Sequence, residues 1–149
     1  MSHPDIEKLI PHRGAMLWLD AVTASGDDDI TCRAAVRRDN LFLRPPGDWL
    51  RAAACVEYMA QSVAAYAGLR AHRLGRPAAV GLGFLVAASK VVLEVSRLEL
   101  GDELEITASR VWGDAELGKF ECTVARRGAR IAEATLSVYR PPSAAEGSA

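Results

Sequence analysis

Residues 48–75 read DWLRAAACVEYMAQSVAAYAGLRAHRLG, and this stretch decides the fold. Pro45, Pro46 and Gly47 punctuate its start, Asp48 is a good N-cap residue and Gly75 a good C-terminal stop, so the spacing predicts a helix from Asp48 to Gly75. At 1.5 Å per residue such a helix reaches roughly 39 Å, long for one small domain. Between Ala52 and Leu69 the only charged residue is Glu57, and apolar side chains occupy every side of the helical wheel. The helix is therefore expected to be largely buried. Glu57, Gln61, Ser62 and Gly68 argue against a membrane span of the same length.

Around the helix the chain reads as strand: 16–22, 30–36, 80–93, 103–112, 118–125 and 130–139. Gly113-Asp114 and Arg127-Gly128 have the composition of hairpin turns. Lys119 to Val124 alternates polar and apolar, as an antiparallel strand with one wet face requires. Gly81-Leu82-Gly83-Phe84 lacks the third glycine of a dinucleotide loop and reads as strand glycines. A buried helix with five or six antiparallel strands is satisfied most simply by an α+β domain in which a curved sheet wraps the helix. A second such unit would cover what remains, and the alanines at 52, 53, 54, 60, 64, 65 and 67 would let it approach closely, so a dimer is expected. One domain spans 1–140, and the Pro/Ser/Ala-rich segment 141–149 reads as a disordered tail.

The composition sets limits. Of 149 residues, 50% are apolar and 25% charged, enough for a proper core. Eighteen basic and 19 acidic side chains leave a charge of -1, which removes the global attraction that nucleic-acid binding depends on. Cys32, Cys55 and Cys122 are far apart and lack metal-ligand spacing, so neither a zinc site nor a disulfide framework is indicated and a cytoplasmic location is expected. The N-terminus lacks the pattern of a secretory signal.

Two residues stand out for chemistry. Glu57 has Ala53, Ala54, Ala60 and Gln61 as its helical neighbours and no cation on its own helix, so its carboxyl is expected to be desolvated and suited to holding a proton. The alternative is a carboxylate hydrogen-bonded to backbone or to an Arg from another element. His12, in Ile10-Pro11-His12-Arg13-Gly14, lies where a loop would place it at the mouth of the core, as a general base or as a loop anchor. Cys55 is off the Glu57 face and reads as a core thiol. Basic clusters at 37–38, 70–76 and 126–130 are solvated termini, or a surface that steers an acidic carrier or a phosphate-bearing arm.

Ile10-Pro11-His12-Arg13 followed by Met16 to Val22, together with Glu57-Tyr58-Met59-Ala60-Gln61, resembles FabZ-type 3-hydroxyacyl-acyl-carrier-protein dehydratases. That family has a Pro-His-Arg segment leading into its first strand and Glu-x-Met-Ala-Gln on its central helix. Its catalytic His lies in a Gly-His-Phe-Pro segment before the helix, where this chain reads Asn40-Leu41-Phe42-Leu43-Arg44-Pro45-Pro46-Gly47. With that His absent, the pattern is closest to the divergent, ApeP-like dehydratases of aryl-polyene clusters, which can work beside a second dehydratase subunit.

The resemblance implies the hotdog fold, normally dimeric, and loss of water from a carrier-bound 3-hydroxyacyl thioester to give the 2-enoyl product. For that reaction Glu57, held protonated by its apolar surroundings, is expected to act on the hydroxyl and His12 to take the C2 proton, a role that the familiar members give to a different His; backbone N–H groups near Gly47 and Asp48 at the helix start are expected to polarise the carbonyl, and Gln61 to contact substrate. No metal or organic cofactor is required, since the phosphopantetheine arm arrives with the substrate. The partner would be an acyl carrier protein or a coenzyme A thioester, and the dimer a homodimer or a heterodimer with another hotdog dehydratase. Two rivals remain: an accessory, non-catalytic hotdog subunit, and an acyl-thioester hydrolase.

Overall fold

Alternation of buried and exposed residues runs through the strands. In β2 (Asp29–Ala35) Ile30, Cys32 and Ala34 point inward, in β6 (Glu103–Gly113) Leu104, Ile106 and Ala108, and in β7 (Leu117–Arg126) Phe120, Cys122 and Val124. The antiparallel register lines these up into rows, such as Cys32, Ile106, Val124 and, from β8 (Ala129–Tyr139), Ala132. A neighbouring row is Ile30, Ala108, Cys122 and Ala134. Its three small residues leave a trough, and the helix α1 (Cys55–Arg73) lies against β2, β6, β7 and β8. Such a trough buries a helix on one face of a sheet.

The computed structural model describes residues 2–75, 84–114 and 116–139. Adding β1 (Ala21–Ser25) and β4 (Phe84–Leu93), the strand order is β1-β2-β6-β7-β8-β4, all antiparallel. This is the α+β hotdog architecture, one helix on a curved six-stranded sheet. The Gly81-Leu82-Gly83 stretch and the segment 141–149 lie outside the described residues. No helix among the described residues is long and apolar enough to cross a membrane.

The helix begins later than the sequence spacing predicts. Trp49–Arg51 forms β3, which pairs with β5 (Arg97–Glu99), because Leu50 and Leu98 both face inward and are wholly buried. A 3-10 turn, Ala52–Ala54, then leads into α1. Asp48 is therefore not the N-cap: it takes a left-handed conformation (φ 52°) in a turn closed by Arg44 and Trp49, whose N–H and C=O groups pair reciprocally. The first strand also starts later, at Ala21 instead of Met16. Met16 ends a 3-10 turn, and the Met16 carbonyl and Trp18 amide are taken by the Gln61 side chain instead of a neighbouring strand.

Burial of α1 is wide but incomplete. Tyr58, Met59, Gln61, Ser62, Val63, Ala65, Tyr66 and Leu69 are buried, whereas Ala60 and Ala64 are half-buried and Ala67, like Ala53 in the preceding turn, is exposed, a stripe at helical spacing that the chain itself covers only in part. At one sheet edge, β4 exposes Leu85, Val86, Val91, Val92 and Leu93.

Gly68 marks the tightest approach of the N-terminal segment to α1. A methyl group there would overlap the Leu9 carbonyl oxygen and lie 2.7 Å from the carbonyl carbon. Helix propensity alone makes Gly→Ala favourable by about 1 kcal/mol, but backbone cannot yield as a side chain can. Gly68→Ala is expected to destabilise the fold by about 1–3 kcal/mol, read by urea unfolding. A stabilised variant would contradict the close approach.

Candidate active site

The structure brings together the two residues that the sequence singles out. His12 Nε2 lies 3.9 Å from Glu57 Oε2, although 45 positions separate them in the chain. Their meeting depends on how the segment before β1 is held. Arg13 donates from Nη1 to the carbonyls of Ile10 and His12, both at 2.7 Å, and from Nη2 to that of Glu7 at 2.7 Å. One guanidinium thereby fixes the backbone on both sides of His12, which the planar fork of Arg is shaped to do. His12 Nδ1 is buried without a hydrogen-bond partner among the described residues, leaving Nε2 as the nitrogen that faces the carboxylate.

Gln61 joins this segment to the helix. Wholly buried, it accepts the Trp18 N–H (2.9 Å) at Oε1 and donates from Nε2 to the Met16 carbonyl (3.0 Å) and to Glu57 Oε2 (2.8 Å). Both amide protons are used, so Gln61 positions Glu57 and the entry segment instead of standing open to a ligand. Glu57 Oε1 makes no hydrogen bond among the described residues. The sequence reading of a desolvated Glu57 needs correction, because its side chain is 40% exposed and His12 is 29% exposed. The carboxyl lies beside the uncovered alanine stripe, so its own chain only half covers it.

Gly47 and Asp48 are not at the helix start, which removes the geometric basis of their expected role. The Asp48 carboxylate meets Arg38 at 3.1 Å, and the Asp48 carbonyl accepts the Leu100 N–H. The stretch 40–47 touches the segment before β1 through Phe42. Phe42 meets Trp18 edge-on at 5.8 Å between ring centres, and Trp18 leans on Tyr58 at 4.9 Å. Asn40 is buried, with its Oδ1 accepting the Phe42 N–H. Asp20 accepts from the Ala35 N–H (2.7 Å) and from Arg37 (2.9 Å), whose other nitrogen donates to the Leu17 carbonyl. That part of the Arg37-Arg38 cluster is structural.

Burial sets the thiol chemistry. Desolvation pushes Cys32 and Cys55 up to about 11 and Cys122 up to about 12, and for Cys55 this outweighs the opposing charge of Arg126. Tyr58 is raised for the same reason. Cys55 is thus a core thiol, not a nucleophile. No group of three or more His, Cys, Asp or Glu side chains that could hold a metal ion occurs among the described residues.

The profile of the ApeP-like family, described as ApeP dehydratase, matches residues 4–148. The chain belongs to this dehydratase family. Among solved structures, the dehydratase heterocomplex ApeI:P from Xenorhabdus doucetiae is similar, with 25% identity and a TM-score of 0.86 over 97% of this chain and 95% of that one. A hypothetical thioesterase with coenzyme A from Streptococcus pneumoniae TIGR4 has 13% identity and a TM-score of 0.58 over 79% of this chain and 82% of that one. The E. coli PaaI protein from the phenylacetic acid degradation operon has 11% identity and a TM-score of 0.58 over 80% and 81%. The latter two share the fold. A search of the curated proteins returns no match.

Two outcomes follow for this ApeP-like chain. Gln61→Leu leaves the Trp18 amide unpaired and is expected to cost about 1–3 kcal/mol in chemical unfolding; unchanged stability would remove the proposed tie. A thiol-specific disulfide reagent in mildly alkaline buffer is expected to leave all three native cysteines unmodified and to label three after unfolding. Because the folded thiols hold their protons more tightly, their contribution to stability is full below the ordinary value of 9.0 and is lost as pH rises through about 11–12.

Proposed function

We propose that this ApeP-like chain eliminates water from a carrier-bound 3-hydroxyacyl thioester, giving the 2-enoyl thioester, in the cytoplasm. The observation that carries this reading is the approach of His12 Nε2 to Glu57 Oε2 across 3.9 Å. Two groups at that spacing match a base and an acid acting on neighbouring carbons. His12 Nε2 takes the C2 proton, the C2–C3 double bond forms as the C3–O bond breaks, and Glu57 gives its proton to the departing hydroxyl. Because Gln61 occupies Oε2, the proton to be delivered sits on Oε1. Gln61 and Arg13 are positioning residues. The amide assigned to polarise the thioester carbonyl is that of Ala53 in the turn Ala52–Ala54, which has no side-chain cap and whose Ala52 N–H is taken by the Ser96 carbonyl.

Elimination benefits from a dry site, and Glu57 is only half covered. We place the missing cover on a second hotdog subunit, docked on the alanine stripe of α1 and the exposed edge of β4, another copy or a different dehydratase subunit. An accessory role within a heterodimer is the second reading. It is favoured by the stretch 40–47, which offers no titratable base where the FabZ-like pattern has its His, and by the likeness to a heterocomplex.

Incubating the purified chain alone with a 3-hydroxyacyl carrier thioester, while following intact carrier mass and free thiol, separates the readings. Loss of one water without thiol is expected, and Glu57→Gln and His12→Ala are each expected to lower the rate by about 10²-fold or more. Thiol release without water loss would make the chain a hydrolase. No reaction alone, with turnover restored by a second hotdog subunit, would make it an accessory subunit.

A further inference from the structure

The β3–β5 ribbon has two unlike faces. Leu50 and Leu98 pair on the buried side, so the alternation of a strand puts Trp49, Arg51, Arg97 and Glu99 together on the outer side. Arg51 and Arg97 are register partners, directly across from each other, where like charges weaken a strand pair. Arg97 is partly compensated: its Nε donates to Glu99 Oε1 at 2.7 Å and its guanidinium lies 5.5 Å from the centre of the Trp49 ring, which Arg44 also approaches at 5.6 Å. Arg51 has no ion pair among the described residues.

Beside this face opens a cleft of about 470 Å³ whose walls include Ser96, Arg97, Glu99, Asp102, Arg126 and Arg127. Arg126 is held by Asp102 at 2.7 Å, and Asp102 also accepts the Glu99 N–H at 2.8 Å. Arg127, in the turn between β7 and β8 with φ 55°, has no ion pair among the described residues. In a chain of net charge -1, the cleft walls carry three arginines against two carboxylates, Arg51 stands opposite Arg97 on the adjoining ribbon face, and neither Arg51 nor Arg127 has an ion pair among the described residues. Compact, multiply charged oxyanions suit several converging guanidinium groups. The cleft is tied to the turn that leads into the helix carrying Glu57, since the Ala52 N–H donates to the Ser96 carbonyl. From Arg51 to Glu57 the turn and the first residues of α1 advance about 10 Å.

We propose that this cleft binds the phosphate of a phosphopantetheine arm, with Arg51 and Arg127 supplying the free charges and Arg97 shared between phosphate and Glu99. The proposal rests on the thioester reading above and names the part of the substrate that is held away from the reacting carbons. The same phosphate is present on a carrier protein and in coenzyme A.

The test is calorimetric titration of the full chain with pantetheine, 4'-phosphopantetheine and coenzyme A. The phosphorylated arm is expected to bind about tenfold more tightly than pantetheine or better, and Arg51→Ala with Arg127→Ala to abolish the difference. Arg51→Glu, at an exposed position, is expected to do so alone. Coenzyme A binding more tightly than 4'-phosphopantetheine would identify the diphosphate form as the natural source, and equal binding the carrier-borne arm. Equal affinity for pantetheine and 4'-phosphopantetheine, or a preference that survives in variants with native circular dichroism, would overturn the proposal. Phosphate-dependent binding without water loss would sink only the dehydratase reading. Dehydration of 3-hydroxybutyryl-pantetheine and its phosphorylated counterpart with the same kcat/KM would sink only the phosphate site.

Discussion

Everything at the site depends on one amide side chain buried between the helix and the segment before β1. Gln61 takes the Trp18 N–H and the Met16 carbonyl out of any strand ladder and gives its remaining proton to Glu57. A buried polar group is tolerated only when satisfied, and here the satisfaction of one side chain fixes three things together. The first strand starts late, the entry segment is clamped to α1, and Glu57 points toward His12. Gly68, by allowing the Leu9 backbone against the helix, and Arg13, by holding the carbonyls around His12, complete the same constraint.

The strands and the presence of the helix were legible because each expresses a simple period. Alternation in Lys119 to Val124 becomes β7, and the apolar run after Ala52 becomes α1. Trp49–Arg51 was not legible: three residues are too few to show a period of two, and their strand character comes from Leu98 across the ribbon. Reading Asp48 as an N-cap followed from its residue type, which suits a tight turn with positive φ equally well. In the site, the motifs that name His12 and Glu57 were visible, and the structure puts them side by side. The job of Gln61 was not, since its partners lie 43 and 45 positions away. Arg13 carried one signal, adjacency to His12. The burial of Glu57 was overread, because an apolar wheel does not show which stripe the chain's own sheet leaves bare.

That bare stripe organises the rest. Alanines at helical spacing beside a carboxyl group make a surface flat enough for close packing, and β4 exposes five apolar side chains at the sheet edge. Arg51 and Arg127, without ion pairs among the described residues, lie on the β3–β5 ribbon just before α1 and in the β7–β8 turn. The half-covered carboxyl of Glu57 borders the apolar stripe, so the same surface that a second subunit would cover reaches the candidate site.

The exposed edge of β4 also bears on gene dosage. A strand whose outer edge has no partner strand among the described residues and which shows valines to solvent is a template for indiscriminate pairing, and whatever covers it in the folded state stabilises the chain by mass action. A copy made in excess of its cover is the one most exposed to aggregation and proteolysis. Where that cover is the different subunit proposed above, synthesis of the two in balanced amounts is a physical requirement that this edge imposes on the cell.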